Sequence, residues 1–241
     1  NNVLSAISKE HFEAHRSVDP QLSDKGLAQA QCVGQFFKSP MASVVGPLAA
    51  LYTSPVRRAL QTTLPASQVL GLAPEVWPDI YETGGMWMKD QAQPGMPRSQ
   101  MLDEFPTYQL PPEITEHGWY NVAQGKETVE MSARRAEKVA QRLWNMVRSQ
   151  SDALRTVGLV AHHDLLDLLL QALLIGKAST CFPPKFSHFN CGMSCVEVTN
   201  DGSTCLKFLN STEHMPIDLI KLPSNALVFA MRPPSPSKVS R

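Results

Sequence analysis

Two arginines and a histidine, far apart in the sequence, each follow an apolar run that predicts a buried strand. Arg57 and Arg58 come shortly after residues 48–52, and His162 follows residues 156–161. A guanidinium group offers a planar fork of donors suited to phosphate oxygens, and a histidine beside it can donate a further hydrogen bond. These residue types are suited to chemistry on a phosphate group, although a lone histidine at the end of a strand is more often structural.

The residues after the first of these strands predict a tight turn and a helix start. Ser54 is a suitable N-cap, Pro55 suits the first helical position, and the helical pattern continues to about Leu70. A helix start offers free N–H groups and the positive end of the dipole to an anion. If the helix begins at Pro55, Arg57 and Arg58 point about 100° apart around its axis. On its own, the stretch is equally consistent with a helix start that carries solvated arginines.

The alternation of strands and helices predicts an α/β fold, a three-layer α/β/α sandwich with a mostly parallel sheet. The predicted helices cover residues 23–39, 55–70, 98–105, 129–149 and 165–175, and the predicted strands cover residues 48–53, 75–77, 156–161, 193–198 and 204–209. Ligands bind such sheets at the carboxyl ends of the strands. Arg58 and His162 are therefore expected to face one crevice.

The predicted domain covers residues 1–220, of which residues 1–20 are polar and expected to be irregular. Residues 83–127 are rich in proline and glycine, and a structureless loop of that length is uncommon. They also carry aromatic anchors, which predict a packed insertion: Trp87, Phe105, Tyr108, Trp119 and Tyr120. Residues 221–241 are expected to form a tail whose proline-rich end is disordered.

The composition of the 241 residues restricts the class of protein. The 22 basic residues balance the 22 acidic ones, which argues against nucleic-acid or membrane binding through a basic field. No apolar run approaches the ~20 residues that span a bilayer. The five cysteines form no C-x-x-C pair and favour structural thiols in a reducing, cytoplasmic compartment over a zinc site; they are Cys32, Cys181, Cys191, Cys195 and Cys205. The sequence thus predicts neither a nucleic-acid partner nor a membrane partner, and no metal.

Four segments, in this order along the chain, resemble the histidine phosphatase superfamily, also called phosphoglycerate mutase-like. Residues 19–30 match D-x-x-L-S-x-x-G-x-x-Q-A, residues 54–62 match S-P-x-x-R-A-x-Q-T, and residues 82–85 match E-x-x-G. The fourth segment is the apolar strand that ends at His162. The resemblance covers residues 19–216. It implies the α/β/α fold, and it implies that the insertion lies over the active site and shapes substrate choice.

The resemblance also implies a role for each matching side chain. Arg58 would clamp two phosphate oxygens, whereas Arg57 occupies a variable position and is expected to be a solvated neighbour. His162 would donate a hydrogen bond to the phosphate and stabilise the transition state. Glu82 would act as the acid, because a nearby dianion raises the pKa of a carboxyl. His163 replaces the usual glycine and is a candidate substrate-binding residue. Arginine and histidine supply the positive charge, so no cofactor is expected.

One family feature does not occur in the printed chain. The family opens with a strand that ends in Arg-His-Gly, whose histidine takes the phosphoryl group, and this chain has no Arg-His-Gly. In many members an asparagine follows that motif by a few residues, so Asn2 (or Asn1) is expected to contact the substrate. The nucleophile is therefore expected upstream of residue 1. His11 and His15 lie in polar sequence with no preceding strand and are not expected to replace it.

The resulting expectation is a phosphoric monoester hydrolase that acts through a phosphohistidine on a small phosphorylated metabolite or a phosphoprotein. The chain as printed is expected to be inactive. An alternative from a different class is a non-catalytic binding subunit of the same fold. A phosphoglycerate-type mutase is disfavoured, because residues 82–85 and the proline-rich insertion do not match the E-R-x-Y-G pattern. The residues upstream of Asn1 would discriminate between the enzyme and the binding subunit.

Overall fold

A parallel sheet lies at the centre of the fold in the computed structural model, which describes residues 7–149, 156–178 and 185–220. The strands in these ranges are β1 (Leu48–Thr53), β2 (Glu75–Val76), β3 (Trp87–Met88), β4 (Gln91–Ala92), β5 (Thr156–Val160), β6 (Met193–Val198) and β7 (Thr204–Ser211). The helices are α1 (Lys9–His15), α2 (Asp24–Phe36), α3 (Arg57–Leu70), α4 (Arg98–Glu104), α5 (Val129–Arg148) and α6 (His163–Ile175), with short 3₁₀ turns at Pro40–Val44 and Val122–Gln124.

The strand order β2-β1-β5 brings the two phosphate-binding candidates to one edge of the sheet. Strand β1 pairs in parallel with β2 and with β5, and Thr53 at the end of β1 lies opposite Val160 at the end of β5. The Ser54 backbone N–H continues this ladder by donating to the Val160 carbonyl at 3.0 Å. The turns that follow β1 and β5 therefore emerge side by side.

Helices cover both faces of this sheet, which confirms the three-layer α/β/α architecture. On one face, α5 and α6 bury an apolar cluster against Tyr52 and Trp77. On the other face, Thr63 of α3 donates to the Thr53 hydroxyl of β1 at 2.8 Å. Helix α2 packs closely on α3, because a Cβ at Gly34 would lie 2.9 Å from the Pro65 Cβ.

Local capping signals set several of the predicted helix boundaries. The Ser23 hydroxyl caps α2 by accepting from the Gly26 N–H, and the Thr128 hydroxyl caps α5 by accepting from the Met131 N–H. Helix α3 ends at Gly71, whose φ of 64° is the left-handed conformation that glycine favours. These boundaries agree with the sequence prediction.

The predicted start of α3 is wrong. The helix begins at Arg57, its N-cap is Val56, and neither Ser54 nor Pro55 is helical. The first free N–H of the helix, that of Arg57, donates instead to the Asp19 carboxylate at 2.8 Å. A carboxylate from a distant segment thus does what a local cap would do, while the Ser54 hydroxyl accepts from the Val56 N–H at 3.4 Å, outside the helix.

The expectation of irregular structure near the start also needs correction. Residues 9–15 form α1, and the Ser8 hydroxyl caps it by accepting from the His11 N–H at 3.0 Å. Asn2 and the predicted tail 221–241 lie outside the described residues.

The region 83–127 is folded, as its aromatic residues predict. Strands β3 and β4 form a small antiparallel hairpin, and α4 follows them. Most of the predicted anchors are buried in one cluster with Tyr81, namely Phe105, Tyr108, Trp119 and Tyr120, while Trp87 stays partly exposed. The Tyr108 hydroxyl ties this cluster to α3 by donating to the Leu60 carbonyl at 2.8 Å.

The predicted hairpin of β6 and β7 is antiparallel and forms its own two-stranded sheet. Among the described strands, β5 pairs only with β1 and β6 pairs only with β7, so each keeps one unpaired edge. None of the described helices is both long and apolar enough to cross a bilayer. The described ranges also hold no group of three or more acidic, histidine or cysteine side chains placed to bind a metal ion.

Candidate active site

Arg58 and His162 meet at the carboxyl end of the sheet. Arg58 lies in the first turn of α3 and His162 directly after β5, and Arg58 Nη2 lies 3.0 Å from His162 Nδ1. A guanidinium can only donate, so Nδ1 accepts and the proton of the ring resides on Nε2. Nε2 then donates to the Ser54 hydroxyl, which lies 2.8 Å away. Arg58 therefore fixes the tautomer of His162, and Ser54 accepts the proton that this tautomer places on Nε2.

Burial and nearby positive charge make His162 a neutral imidazole at neutral pH. Burial is the largest cause that lowers its pKa well below the usual value, and the cations Arg58 and Arg135 lower it further. Burial also lowers the pKa of Arg58, while the carboxyls of Glu82 and Asp19 oppose that shift. Arginine stays charged in proteins, so the pair presents one partly buried cation to an incoming anion.

The side chain of Glu82 lies against the first turn of helix α6. Its Oε1 accepts from the Thr83 N–H at 2.9 Å and from the Leu165 N–H at 3.2 Å. The N-cap residue of α6, His162, supplies no side-chain cap, so the Glu82 carboxyl replaces it.

The pKa of the Glu82 carboxyl is raised, which is the direction that the family resemblance implies for the acid. Burial is the main cause and the Asp164 carboxylate adds to it, while the two N–H donors and Arg58 oppose the shift. Glu82 is therefore a mostly buried group, electrostatically coupled to Arg58, and differs from an ordinary surface carboxylate.

Arg57 is not the solvated neighbour that the sequence predicts. Its side chain is only 15% exposed and forms an ion pair with Glu104 at the end of α4. Because successive helical residues point about 100° apart, Arg57 faces the 83–127 region while Arg58 faces His162. The reason for the error is that Glu104 comes from a segment that the sequence pattern does not place beside α3.

Asp19 and Gln61 link the first two family segments to each other. The Asp19 carboxylate holds the start of α3, and the Leu22 N–H donates to Gln61 Oε1 at 2.7 Å. Burial raises the pKa of the Asp19 carboxyl, and the Arg57 N–H followed by Arg58 opposes the shift. Neither role follows from the sequence pattern alone, although both residues belong to the matched patterns.

Of the two remaining predicted binding residues, His163 lines the same cavity as Arg58, Glu82 and His162. The His163 side chain is 50% exposed, and its ring nitrogens lie 2.8 Å from Asp164 Oδ1 and 3.2 Å from the Ser187 hydroxyl. Its role in binding stays a prediction. Asn2 lies outside the described residues.

An open cavity of about 2200 Å³ reaches from this pair into the sheet. Arg58, Glu82 and His162 line it, and so do residues of the 83–127 region, namely Thr83, Gly85 and Trp87. Residues of β1, β5 and β6 also line it. The candidate site therefore opens into this cavity.

The Ser54→Ala variant tests the contact that the sequence analysis missed. It leaves the buried Nε2–H of His162 without an acceptor, so we expect the free energy of unfolding to fall by about 1–3 kcal/mol in chemical denaturation. Ser43→Ala is the control, because its exposed hydroxyl only donates to the nearby Pro40 carbonyl. A stability of Ser54→Ala that equals that of Ser43→Ala would contradict this contact.

Comparison with known proteins supports the same grouping. The sequence profile of the histidine phosphatase superfamily (branch 1) matches residues 8–211. A mycobacterial glucosyl-3-phosphoglycerate phosphatase in complex with inorganic phosphate superimposes with a TM-score of 0.53 at 20% identity, over 82% of this chain and 91% of that one. YhfR of Bacillus stearothermophilus gives a TM-score of 0.53 at 18% identity, over 81% and 87%.

The ecdysone phosphate phosphatase of Bombix mori, in complex with tungstate, gives a TM-score of 0.50 at 19% identity, over 70% of this chain and 62% of that one. Comparison with curated protein sequences gave no significant match. At these identities the structural matches establish the fold, and the profile match covers most of the chain. The chain belongs to the histidine phosphatase superfamily.

Proposed function

We propose that this protein is a phosphoric monoester hydrolase that acts through a phosphohistidine on a small phosphorylated metabolite or a phosphoprotein. The observation that carries the proposal is the contact of the partly buried Arg58 with the buried His162, at 3.0 Å, with the raised-pKa carboxyl of Glu82 coupled to it. Phosphoryl transfer needs cations for the dianion and an acid for the leaving oxygen. The three side chains supply both.

Each residue has a defined task in this reaction. A phosphate dianion would take over the Arg58 donors that now contact His162, and its charge would favour a second proton on the imidazole. The nucleophilic histidine forms the N–P bond while the P–O bond to the leaving group breaks, and Glu82 gives that oxygen its proton. Water then attacks the phosphohistidine and releases inorganic phosphate, with the same carboxyl accepting the proton of the water.

The unpaired edge of β5 supports a nucleophile from a strand that would precede residue 1. Parallel strands are usually buried on both faces, yet every residue of β5 is only partly buried. Neighbouring strands lie about 4.8 Å apart, so an inserted strand would pair with the unpaired edge of β5. If it ran parallel to β5, its carboxyl end would reach Arg58 and His162.

The proposal extends to the surroundings of the site. Trp87, Thr83 and Gly85 line the cavity, and we infer that the region 83–127 lies over the site and contacts the leaving group of the substrate. The described thiols are unpaired, namely Cys32, Cys191, Cys195 and Cys205, and they fit a reducing compartment such as the cytoplasm.

The experiment compares the printed 241 residues with the same chain preceded by the residues that its gene encodes upstream of Asn1. We expect the extended chain to hydrolyse p-nitrophenyl phosphate and to form an acid-labile phosphoryl adduct on a histidine upstream of Asn1. The printed chain should do neither. Intact-mass detection of an adduct on the printed chain, mapped to His11 or His15, would show that the nucleophile has been misplaced.

A second candidate function is a non-catalytic binding subunit of the same fold. It is favoured by the Arg58–His162 pair, which can hold an anion without a nucleophile. An extended chain that binds orthovanadate but has no histidine at the end of the inserted strand, and forms no adduct, would support it.

A further inference from the structure

Glu127 and Arg135 form a buried, bidentate ion pair near the start of helix α5. Arg135 Nε donates to Glu127 Oε1 at 2.8 Å, and Arg135 Nη2 donates to Oε2 at 2.7 Å. The Glu127 side chain is only 2% exposed and the Arg135 side chain only 10%. Both carboxylate oxygens have a second donor, because the Ser132 hydroxyl contacts Oε2 at 2.7 Å and the Tyr81 hydroxyl contacts Oε1 at 3.2 Å.

The third guanidinium nitrogen of Arg135 binds the backbone that carries Glu82. Nη1 donates to the carbonyl of Asp79 at 2.9 Å and to that of Tyr81 at 2.8 Å. The guanidinium also stacks on the Tyr81 ring, with 3.7 Å between its carbon and the ring centroid. Tyr81 immediately precedes Glu82, so a single side chain fixes the last peptide before the proposed acid.

The same pair joins the two ends of the 83–127 region. Arg135 holds the chain at Tyr81, before the region begins, and its ion-pair partner Glu127 is the last residue of the region. A buried ion pair adds little net stability compared with apolar side chains of the same size. The ion pair instead supplies geometric specificity. The planar guanidinium of Arg135 can donate to the carboxylate and the two carbonyls in only one arrangement.

We propose that Arg135 and Glu127 are positioning residues, which hold Glu82 and the base of the 83–127 region in the geometry that proton transfer needs. This inference rests on the proposed function in naming Glu82 as the acid. The charged neighbours that face the Glu82 carboxyl are Arg58 and Asp164. Arg135 instead acts on Glu82 through the backbone carbonyls of Asp79 and Tyr81. Removing the Arg135 side chain should free this backbone segment and expose the Glu82 carboxyl to water.

The first experiment needs no catalytic activity. The carboxyl ¹³C signal of Glu82, assigned with Glu82→Gln, is titrated in the folded chain and in Arg135→Met. We expect the pKa of Glu82 to fall toward that of an ordinary glutamate in Arg135→Met, because burial is the main cause of its elevation. An unchanged titration in a folded Arg135→Met protein would overturn the inference.

Arg142→Met is the matched control. Arg142 lies on the same helix, stacks on the Trp77 ring at 3.5 Å and pairs with Glu75 at 3.3 Å. It also reaches the Asp79 carboxylate at 3.8 Å, but its described contacts include neither Tyr81 nor Glu127. It should leave the Glu82 titration unchanged. If Arg135→Met does not fold, Arg135→Lys replaces it, because lysine keeps the positive charge but lacks the planar set of donors. The pKa of Glu82 is expected to fall in this variant as well.

The second experiment uses the extended chain and two substrates. Nitrophenolate leaves without protonation, whereas an alkyl alcohol such as that of β-glycerophosphate needs the acid. We expect Arg135→Lys to lower kcat on the alkyl phosphate by about 10²-fold, as a displaced catalytic group does, with a much smaller loss on p-nitrophenyl phosphate. Equal losses on both substrates would overturn the positioning role. If the unmodified extended chain has no turnover, the proposed function fails, while the titration of Glu82 still decides whether Arg135 positions it.

Discussion

Replacing Glu82 by glutamine should lower kcat of the extended chain on alkyl phosphates by about 10²–10⁴-fold, the usual contribution of a positioned general acid. Glutamine can still accept from the Leu165 N–H, so the start of α6 keeps its cap, but it has no proton to give to the leaving oxygen. The loss on p-nitrophenyl phosphate should be much smaller, because nitrophenolate leaves unaided. Steady-state kinetics on the two substrates measures the difference.

The pH dependence gives this prediction a second test. The pKa of Glu82 is raised in the folded protein, mainly by burial, so the protonated acid persists above the pH at which an ordinary glutamate ionises. Turnover of the alkyl phosphate should therefore fall as pH rises through the folded pKa of Glu82. The glutamine variant should lack this limb of the profile.

Stability provides the control, and its sign follows from proton linkage. The folded state holds the Glu82 proton more tightly than the unfolded chain does, so the stability that this group contributes is present at low pH and is lost as pH rises from the unfolded to the folded pKa. Glu82→Gln should consequently cost no stability at neutral pH. A destabilised variant with equal losses on both substrates would mean that Glu82 serves as the cap of α6 and not as the acid.

The parts of the fold that follow from local signals are predictable from the sequence. Ser23 and Thr128 cap their helices, and Gly71 ends α3, because each forms its contacts within one helical turn. The proximity of Arg58 and His162 is also predictable, since each follows an apolar strand and parallel strands end at the same edge of a sheet. The sheet pairing then places them at 3.0 Å.

The parts that the sequence does not predict depend on partners from distant segments. Local preference assigns the Ser54 hydroxyl to a helix cap, but the buried Nε2–H of His162, 108 residues later, is the group that uses it. Arg57 looks solvated until Glu104 is brought beside α3 by the folded 83–127 region. Glu127 and Arg135 lie 8 residues apart in sequence. The pair is linked to the site only because the fold brings Tyr81, the neighbour of Glu82, to Arg135.

Arg58→Ala should weaken orthovanadate binding to the extended chain by roughly 1.5–3 kcal/mol, the range for a hydrogen bond to a charged group. Arg58 Nη2 lies 3.0 Å from His162 and lines the cavity, so its donors are already directed to where the anion would bind. Arg58→Lys should recover only part of the loss, because an ammonium keeps the charge but not the planar fork. Isothermal titration with orthovanadate measures all three proteins.

Arg57→Ala is the matched control from the neighbouring position. Its side chain pairs with Glu104 on another face of α3, so its loss should change vanadate affinity by well under 1 kcal/mol. The partly exposed ion pair should contribute only about 0–1 kcal/mol to the free energy of unfolding. Equal losses of affinity in Arg57→Ala and Arg58→Ala would indicate a diffuse basic patch. A larger loss at Arg57 would mean that the phosphate lies on the α4 side of the helix start and that the Arg58–His162 pair is a structural contact.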